Sequence, residues 1–113
     1  MDKIKKYQKI VEQVLNSKIG FPTEDFPNIK DILLISKDKM HYLQLTFGWD
    51  KEEYNHYPAY HIEVTRDGKI YIHQNRTDVL IDELLMEQGV PEIDILDGMD
   101  ETFPRKLADS KAA

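Results

Sequence analysis

Tyr60-His61-Ile62-Glu63-Val64-Thr65-Arg66-Asp67-Gly68-Lys69-Ile70-Tyr71-Ile72-His73-Gln74-Asn75 is the stretch that decides the fold of this chain. Two alternating runs meet at Arg66-Asp67-Gly68, the pattern of a β-hairpin. A two-residue turn at Asp67-Gly68 would pair Arg66 with Lys69. Ile70 and Ile72 would then share a face with Thr65 and Glu63, against the pattern of burial. A three-residue loop, a type I turn closed by a glycine bulge, sets Val64 opposite Ile70 and Ile62 opposite Ile72 and makes one face apolar. Gly68 then takes the left-handed conformation, which costs glycine little. The reverse face carries Thr65 opposite Lys69, Glu63 opposite Tyr71 and His61 opposite His73, and it is the face left for partners.

Upstream, Met40 to Trp49 alternates as well, with His41, Leu43, Leu45, Phe47 and Trp49 on one side and Met40, Tyr42, Gln44, Thr46 and Gly48 on the other. The more apolar series is expected to join Ile62, Val64, Ile70 and Ile72 in the core. Asp50 to Pro58 reads as a charged, tyrosine-bearing connection. Ile29 to Ser36 reads as a strand whose nearly continuous apolar content suits cover on both faces. Asp2 to about Ser17 repeats Ile4, Tyr7, Val11 and Val14 at helical spacing, reinforced by Ile10 and Leu15. Gly20, Pro22 and Pro27 interrupt that pattern and leave Phe21 and Phe26 in a connector that they anchor to the core.

Beyond the hairpin, Thr77 or Asp78 can cap a helix carrying Leu80, Ile81, Leu84 and Leu85, stopped by Gly89 and Pro91. A short helical turn at Pro91 to Asp94 follows, with Ile95 and Leu96 packed after it, and a polar tail runs from about residue 97. The expected architecture is α+β: an N-terminal helix, a four-stranded antiparallel meander sheet, then one or two C-terminal helices, with the helices gathered on one sheet face. Residues 1–113 form a single domain in this reading, since no repeat or linker divides the chain.

The 113 residues include 15 Lys and Arg against 21 Asp and Glu, a formal net charge of −6, and no cysteine. Disulfides and thiolate metal sites are therefore excluded. The acidic balance opposes broad binding to nucleic acid, where clustered cations supply most of the affinity. Lys3, Lys5, Lys6 and Lys9 form one local basic face, more simply the solvated side of the first helix. No apolar run reaches the ~20 residues needed to span a bilayer, and no apolar core of signal-peptide length follows the basic start, so the expected location is the cytoplasm.

His61, His73 and Glu63 share a face and could form a His-His-carboxylate metal site; two imidazoles side by side on a polar sheet face is the simpler reading. His41 suits a hydrogen-bonded strand end, and His56 a loop surface. Ser17, Ser36 and Ser110 stand in no nucleophile context, and the five glycines form no phosphate loop. No catalytic residue and no cofactor is assigned. Trp49, Tyr54, Tyr57 and Tyr71, with Arg66 and Arg76, are the candidate interface residues, because Tyr, Trp and Arg dominate interface hot spots. A chain this small leaves a sheet face or edge uncovered, and a symmetric dimer through it is expected.

His61-Ile62-Glu63-Val64 and Asp67-Gly68-Lys69-Ile70-Tyr71-Ile72, preceded by Gly48-Trp49-Asp50 and followed by Thr77-Asp78 and Gly89-Val90-Pro91, resemble the XisI family, the fdxN-element excision controlling factors of filamentous cyanobacteria. The order and spacing of these segments carry the resemblance, from Ile4 to Pro104-Arg105. The chain departs from the family's usual pattern at Tyr71 and His73, where Trp and Gln are usual, and in its polar C-terminus. The resemblance implies a non-enzymatic accessory protein that helps control site-specific excision of a DNA element together with a XisH-like partner, alongside a recombinase. Two alternatives stand beside it: direct DNA binding through the lysine face with Arg66 and Arg76, or a small metal-dependent enzyme using His61, His73 and Glu63.

Overall fold

The hairpin turn closes as the burial argument requires. Thr65 donates its N–H to the Lys69 carbonyl at 2.8 Å, Gly68 donates to the Thr65 carbonyl at 3.1 Å, and Gly68 sits at φ +82°. Val64 lies opposite Ile70 and Ile62 opposite Ile72, as expected. One residue farther, the pairing shifts: His61 faces Gln74, and His73 is the extra residue of a bulge. This corrects the expected His61–His73 pair, although the bulge keeps both rings on the same side of the sheet.

The computed structural model describes residues 2–98. Its elements are α1 (Asp2–Ser17), β1 (Ile29–Ile35), β2 (His41–Asp50), β3 (Glu53–Val64), β4 (Ile70–Asn75), α2 (Ile81–Glu87), a 3-10 turn (Glu92–Asp94) and β5 (Ile95–Asp97). The strands lie in the order β1-β2-β3-β4-β5, antiparallel except that β5 runs parallel to β4. The sheet is thus mixed and five-stranded, not a four-stranded meander. The fifth strand is three residues long, too short to show alternation. The crossover through α2 returns the chain beside β4 in the same direction, where Ile95-Leu96-Asp97 fills hydrogen-bonding positions along the edge. The tail expected from about residue 97 lies, beyond Gly98, outside the described residues.

The stretch from Glu53 to Pro58 is strand and not connection, so β2 and β3 form one long hairpin that turns at Lys51 (φ +56°). Pro58 hid this. It stands in a central strand only because a bulge there, with Ala59 as the extra residue between the Leu45–Pro58 and Gln44–Tyr60 pairs, relieves the ladder of its missing N–H.

α1 buries Tyr7, Ile10, Val11, Val14 and Leu15 against Tyr42, Tyr60, Ile62, Val64, Ile70 and Ile72, while Ile81, Leu85 and Val90 close the same core. The buried side of β2 is therefore Tyr42, Gln44, Thr46 and Gly48, and its apolar series faces outward, contrary to expectation. Two of these polar side chains are engaged: Thr46 Oγ1 donates to Asp31 at 2.5 Å, and Gln44 Nε2 donates to the Lys18 carbonyl at 3.2 Å. Gly48 is needed for space. A Cβ there would lie 2.0 Å from the Asn28 carbonyl oxygen, and its φ is +133°. Phe21 and Phe26 pack edge to face at 5.8 Å, Phe26 being 37% exposed, and contrary to expectation neither joins the buried core cluster, so they staple the connector to itself.

Thr77 and Asp78 do not cap α2. Asn75 holds the Val79 carbonyl and the Thr77 amide, and Thr77 Oγ1 accepts from the Val79 amide, which delays the helix to Ile81. Gly89 ends it at φ +100° as expected, with the Val90 amide reaching back to the Leu85 carbonyl. Leu85 and Ile81 are fully buried, Leu84 packs at the core margin, and Leu80 is 59% exposed.

Asp94 ties the layers together. Its carboxylate, nearly excluded from solvent, accepts from the Tyr7 hydroxyl at 2.5 Å and meets Lys3 at 2.9 Å and Lys69 at 3.0 Å. The Tyr7 bond first, then those from Lys3 and Lys69, hold its pKa well below the ordinary 3.8. Burial, reinforced by the same bond, pushes the Tyr7 hydroxyl up to about 12. A carboxyl depressed in the folded state contributes stability that is complete above 3.8 and is lost as pH falls below it, because the unfolded chain then binds the proton more readily.

Leu85→Ala is expected to cost about 2–5 kcal/mol and Leu80→Ala under about 0.5 kcal/mol in urea denaturation. Asp94→Asn is expected to cost about 2–4 kcal/mol at neutral pH by stranding its cations and hydroxyl. Its deficit against the parent should shrink as pH drops below 3.8, and a deficit constant with pH would mean the carboxylate is not ionised in the folded protein.

Candidate interaction face

Both helices pack on one side, so strand pairing alone defines the other. Lys30, Ile32 and Leu34 of β1 pair with Phe47, Leu45 and Leu43 of β2, and these pair in turn with His56, Pro58 and His61 of β3. Ile32 is 38% exposed and Leu34 45% exposed, which overturns the expectation that both faces of the first strand are covered. Leu43, Leu45 and Phe47 are half-buried by their neighbours within the sheet. The result is an apolar patch of Ile32, Leu34, Leu43, Leu45 and Phe47 on β1 and β2, carried onto β3 by Pro58 and edged by His56 and His61. His41 carried a signal for this orientation: it has the parity of Leu43 and Leu45, so the series that looked like core contains an imidazole.

At one end of this face four titratable side chains converge. His41 Nδ1 lies 3.1 Å from His61 Nε2, His73 Nε2 lies 2.9 Å from Glu63 Oε1, and His41 Nε2 lies 3.9 Å from Glu63 Oε2. The His61 and His73 rings stack with centroids 4.6 Å apart, and Tyr71 stacks on His73 at 3.9 Å. Sequence reasoning brought His61, Glu63 and His73 together correctly but left out His41. A tetrahedral metal needs nitrogen and oxygen lone pairs aimed at one point about 2 Å away. His41 turns one nitrogen to His61, tilted 38° from it, and the other towards Glu63, while the His61 and His73 rings lie within 22° of parallel. Among the described residues no group of three or more His, Cys, Asp or Glu is placed to hold a metal ion. The arrangement is a hydrogen-bonded imidazole stack around one carboxylate.

At the other end Trp49 pairs with Tyr54, their ring centroids 5.2 Å apart, with exposures of 53% and 51%. His56, expected in a loop, is on β3 and stacks with Tyr54. The remaining candidates divide. Tyr71 is on the outer face but buried. Tyr57 points to the helix side, half-buried, with the Arg76 guanidinium 4.8 Å above its ring. Arg66 is exposed at the hairpin turn, apart from both. Of the lysine face, Lys3 is committed to Asp94, while Lys5, Lys6 and Lys9 point outward. No helix among the described residues is long and apolar enough to cross a membrane.

The XisI protein family model matches residues 1–111. The fold is similar to that of an XisI-like protein from Anabaena variabilis ATCC 29413, with a TM-score of 0.79 and 28% identity over 94% of this chain and 95% of that one. A second crystal structure, of fdxN element excision controlling factor XisI from the same organism, superposes with a TM-score of 0.72 at 24% identity, over 92% of this chain and 97% of that one. A comparison with curated proteins gives no match.

Burial, then the neighbouring His73 and His41 charges, holds the His61 imidazole below the ordinary 6.5, and Glu63 opposes them. A histidine depressed in the folded state makes stability rise with pH through 6.5, since the unfolded chain protonates first on acidification. In an NMR titration of the ring protons, His61 should titrate below 6.5. His73→Gln should move its midpoint up and Glu63→Gln should move it down; shifts of the opposite sign would mean the stack does not persist in solution.

Proposed function

Because the chain belongs to the XisI family, we propose that it is a regulatory protein that acts inside the cell by docking on a protein partner, without catalysis of its own. In this reading it helps control site-specific excision of a DNA element, in company with a XisH-like protein and the recombinase that the excision requires. The observation that carries the docking is the Trp49–Tyr54 pair. Two large aromatics stand in contact on neighbouring strands, each more than half exposed, at the far end of the long β2–β3 hairpin. A rigid ladder that holds such rings in water presents the anchors that protein interfaces use, since little side-chain freedom is left to lose on binding. The name of the Anabaena relative, an excision controlling factor, supports the regulatory part of the reading. The net charge of −6 supports a protein partner over a direct grip on DNA.

Trp49→Ala and Tyr54→Ala are each expected to weaken binding of a XisH-like companion by about 1–2 kcal/mol in calorimetry while leaving the melting temperature nearly unchanged. Arg76→Ala, on the opposite side of the sheet, serves as the comparison. Unchanged affinity in the Trp49 and Tyr54 variants would move the docking site elsewhere.

A further inference from the structure

The outer face is not only apolar; its few charges follow a pattern. Of the residues in the paired strands that face outward, only Lys30 and Glu63 carry a formal charge at neutral pH, in a chain with 36 Lys, Arg, Asp and Glu residues (15 and 21); Lys69, expected on this face, instead reaches Asp94 beside Tyr7 and Lys3 of α1. The positions of Lys30 and Glu63 are related. Lys30 lies one strand to one side of β2, level with Phe47, and Glu63 lies one strand to the other side, level with His41. The midpoint between them therefore falls on β2 at residue 44, between the outward side chains Leu43 and Leu45. A two-fold axis lying in the face, passing through that midpoint and running perpendicular to the Lys30–Glu63 line, carries Lys30 onto the position of Glu63 and Glu63 onto that of Lys30. It places the leucines of two copies against each other. Any two points on a face can be exchanged in this way; here the axis that exchanges a cation with an anion also sets leucine against leucine, as an isologous interface needs.

We infer that the outer sheet face is a self-association surface whose occupant is a second copy of this chain, centred on Leu43 and Leu45, with Lys30 of each copy paired to Glu63 of the other. Area is consistent with this: strands of these lengths and spacings present a face on the order of 600 Å², at the low end of the roughly 600–1,000 Å² that each partner contributes to a stable interface. Charge points the same way. Two chains of net charge −6 repel each other, and contact through this face brings opposite charges together. Glu63 can take part because its second carboxylate oxygen lies 3.9 Å from the nearest His41 nitrogen, beyond hydrogen-bond distance, while the first holds His73. The inference leans on the docking reading only in that both need an uncovered sheet face; it centres the self-contact on Leu43 and Leu45, and the Trp49–Tyr54 pair lies at its margin.

Sedimentation velocity on the whole chain without any companion tests it. A dimer is expected, and Leu43→Glu should convert it to monomer with its circular dichroism retained. Lys30→Glu and Glu63→Lys should each weaken the dimer by about tenfold or more, and the double reversal should bring it back to within a few-fold of the parent, as for a direct charge pair. A chain that stays monomeric at high concentration overturns the inference, as does a dimer indifferent to Leu43→Glu. If the chain is monomeric and Leu43→Glu abolishes binding of a XisH-like companion, the face belongs to that partner: the self-association falls while the docking function stands. Loss of companion binding only with Trp49→Ala, in a protein that still dimerises, supports both.

Discussion

One helix of 16 residues and one of seven must cover a five-stranded sheet, and that limit governs everything else. At about 1.5 Å per residue α1 is on the order of 24 Å long, enough to bury one side of the central strands and no more. The chain meets the limit by giving the two faces different chemistry. The helix side is sealed by Tyr42, Ile62, Val64, Ile70 and Ile72; of the polar groups there, Thr46 and the Gln44 amide nitrogen are engaged by hydrogen bonds, while the Gln44 side-chain oxygen has no partner among the described residues. The outer side keeps its leucines and rings in partial contact with water. The side that the two helices leave uncovered is this outer face.

Electrostatics divides along the same line. On the helix side a single carboxylate collects a tyrosine and two lysines in a place with almost no solvent, which fixes its ionisation far from neutral pH. On the outer side Glu63 is shared between His73 at 2.9 Å and His41 at 3.9 Å, all three only partly buried. One carboxylate is sealed between the layers, and the other stands on an open face.

How much of this could be read from the residues follows from what each signal measures. The hairpin register at Arg66-Asp67-Gly68 was legible because apolar parity and turn chemistry gave the same answer, and α1 was legible because its stripe is long. β2 misled because alternation gives parity without saying which parity is inside: Leu43, Leu45 and Phe47 are the more hydrophobic set, yet Tyr42 has the bulk to fill the space beneath α1. Pro58 argued against a strand until a bulge excused it, and Ile95-Leu96-Asp97 was too short to argue anything. His61, Glu63 and His73 were placed on one face correctly, whereas the contribution of His41 depended on the orientation of β2 and was lost with it.

The Asp94 contacts also bear on how the chain comes into being. Tyr7 and its carboxylate partner are 87 positions apart, and Lys3 and Lys69 converge on the same two oxygen atoms. α1 precedes every strand in the order of elements, and the Tyr7 hydroxyl finds its carboxylate only once the 3-10 turn is in place. Contacts of such sequence separation are the kind that close late and slow the folding of a sheet, so the same carboxylate that joins the layers also links the last strand to the first helix.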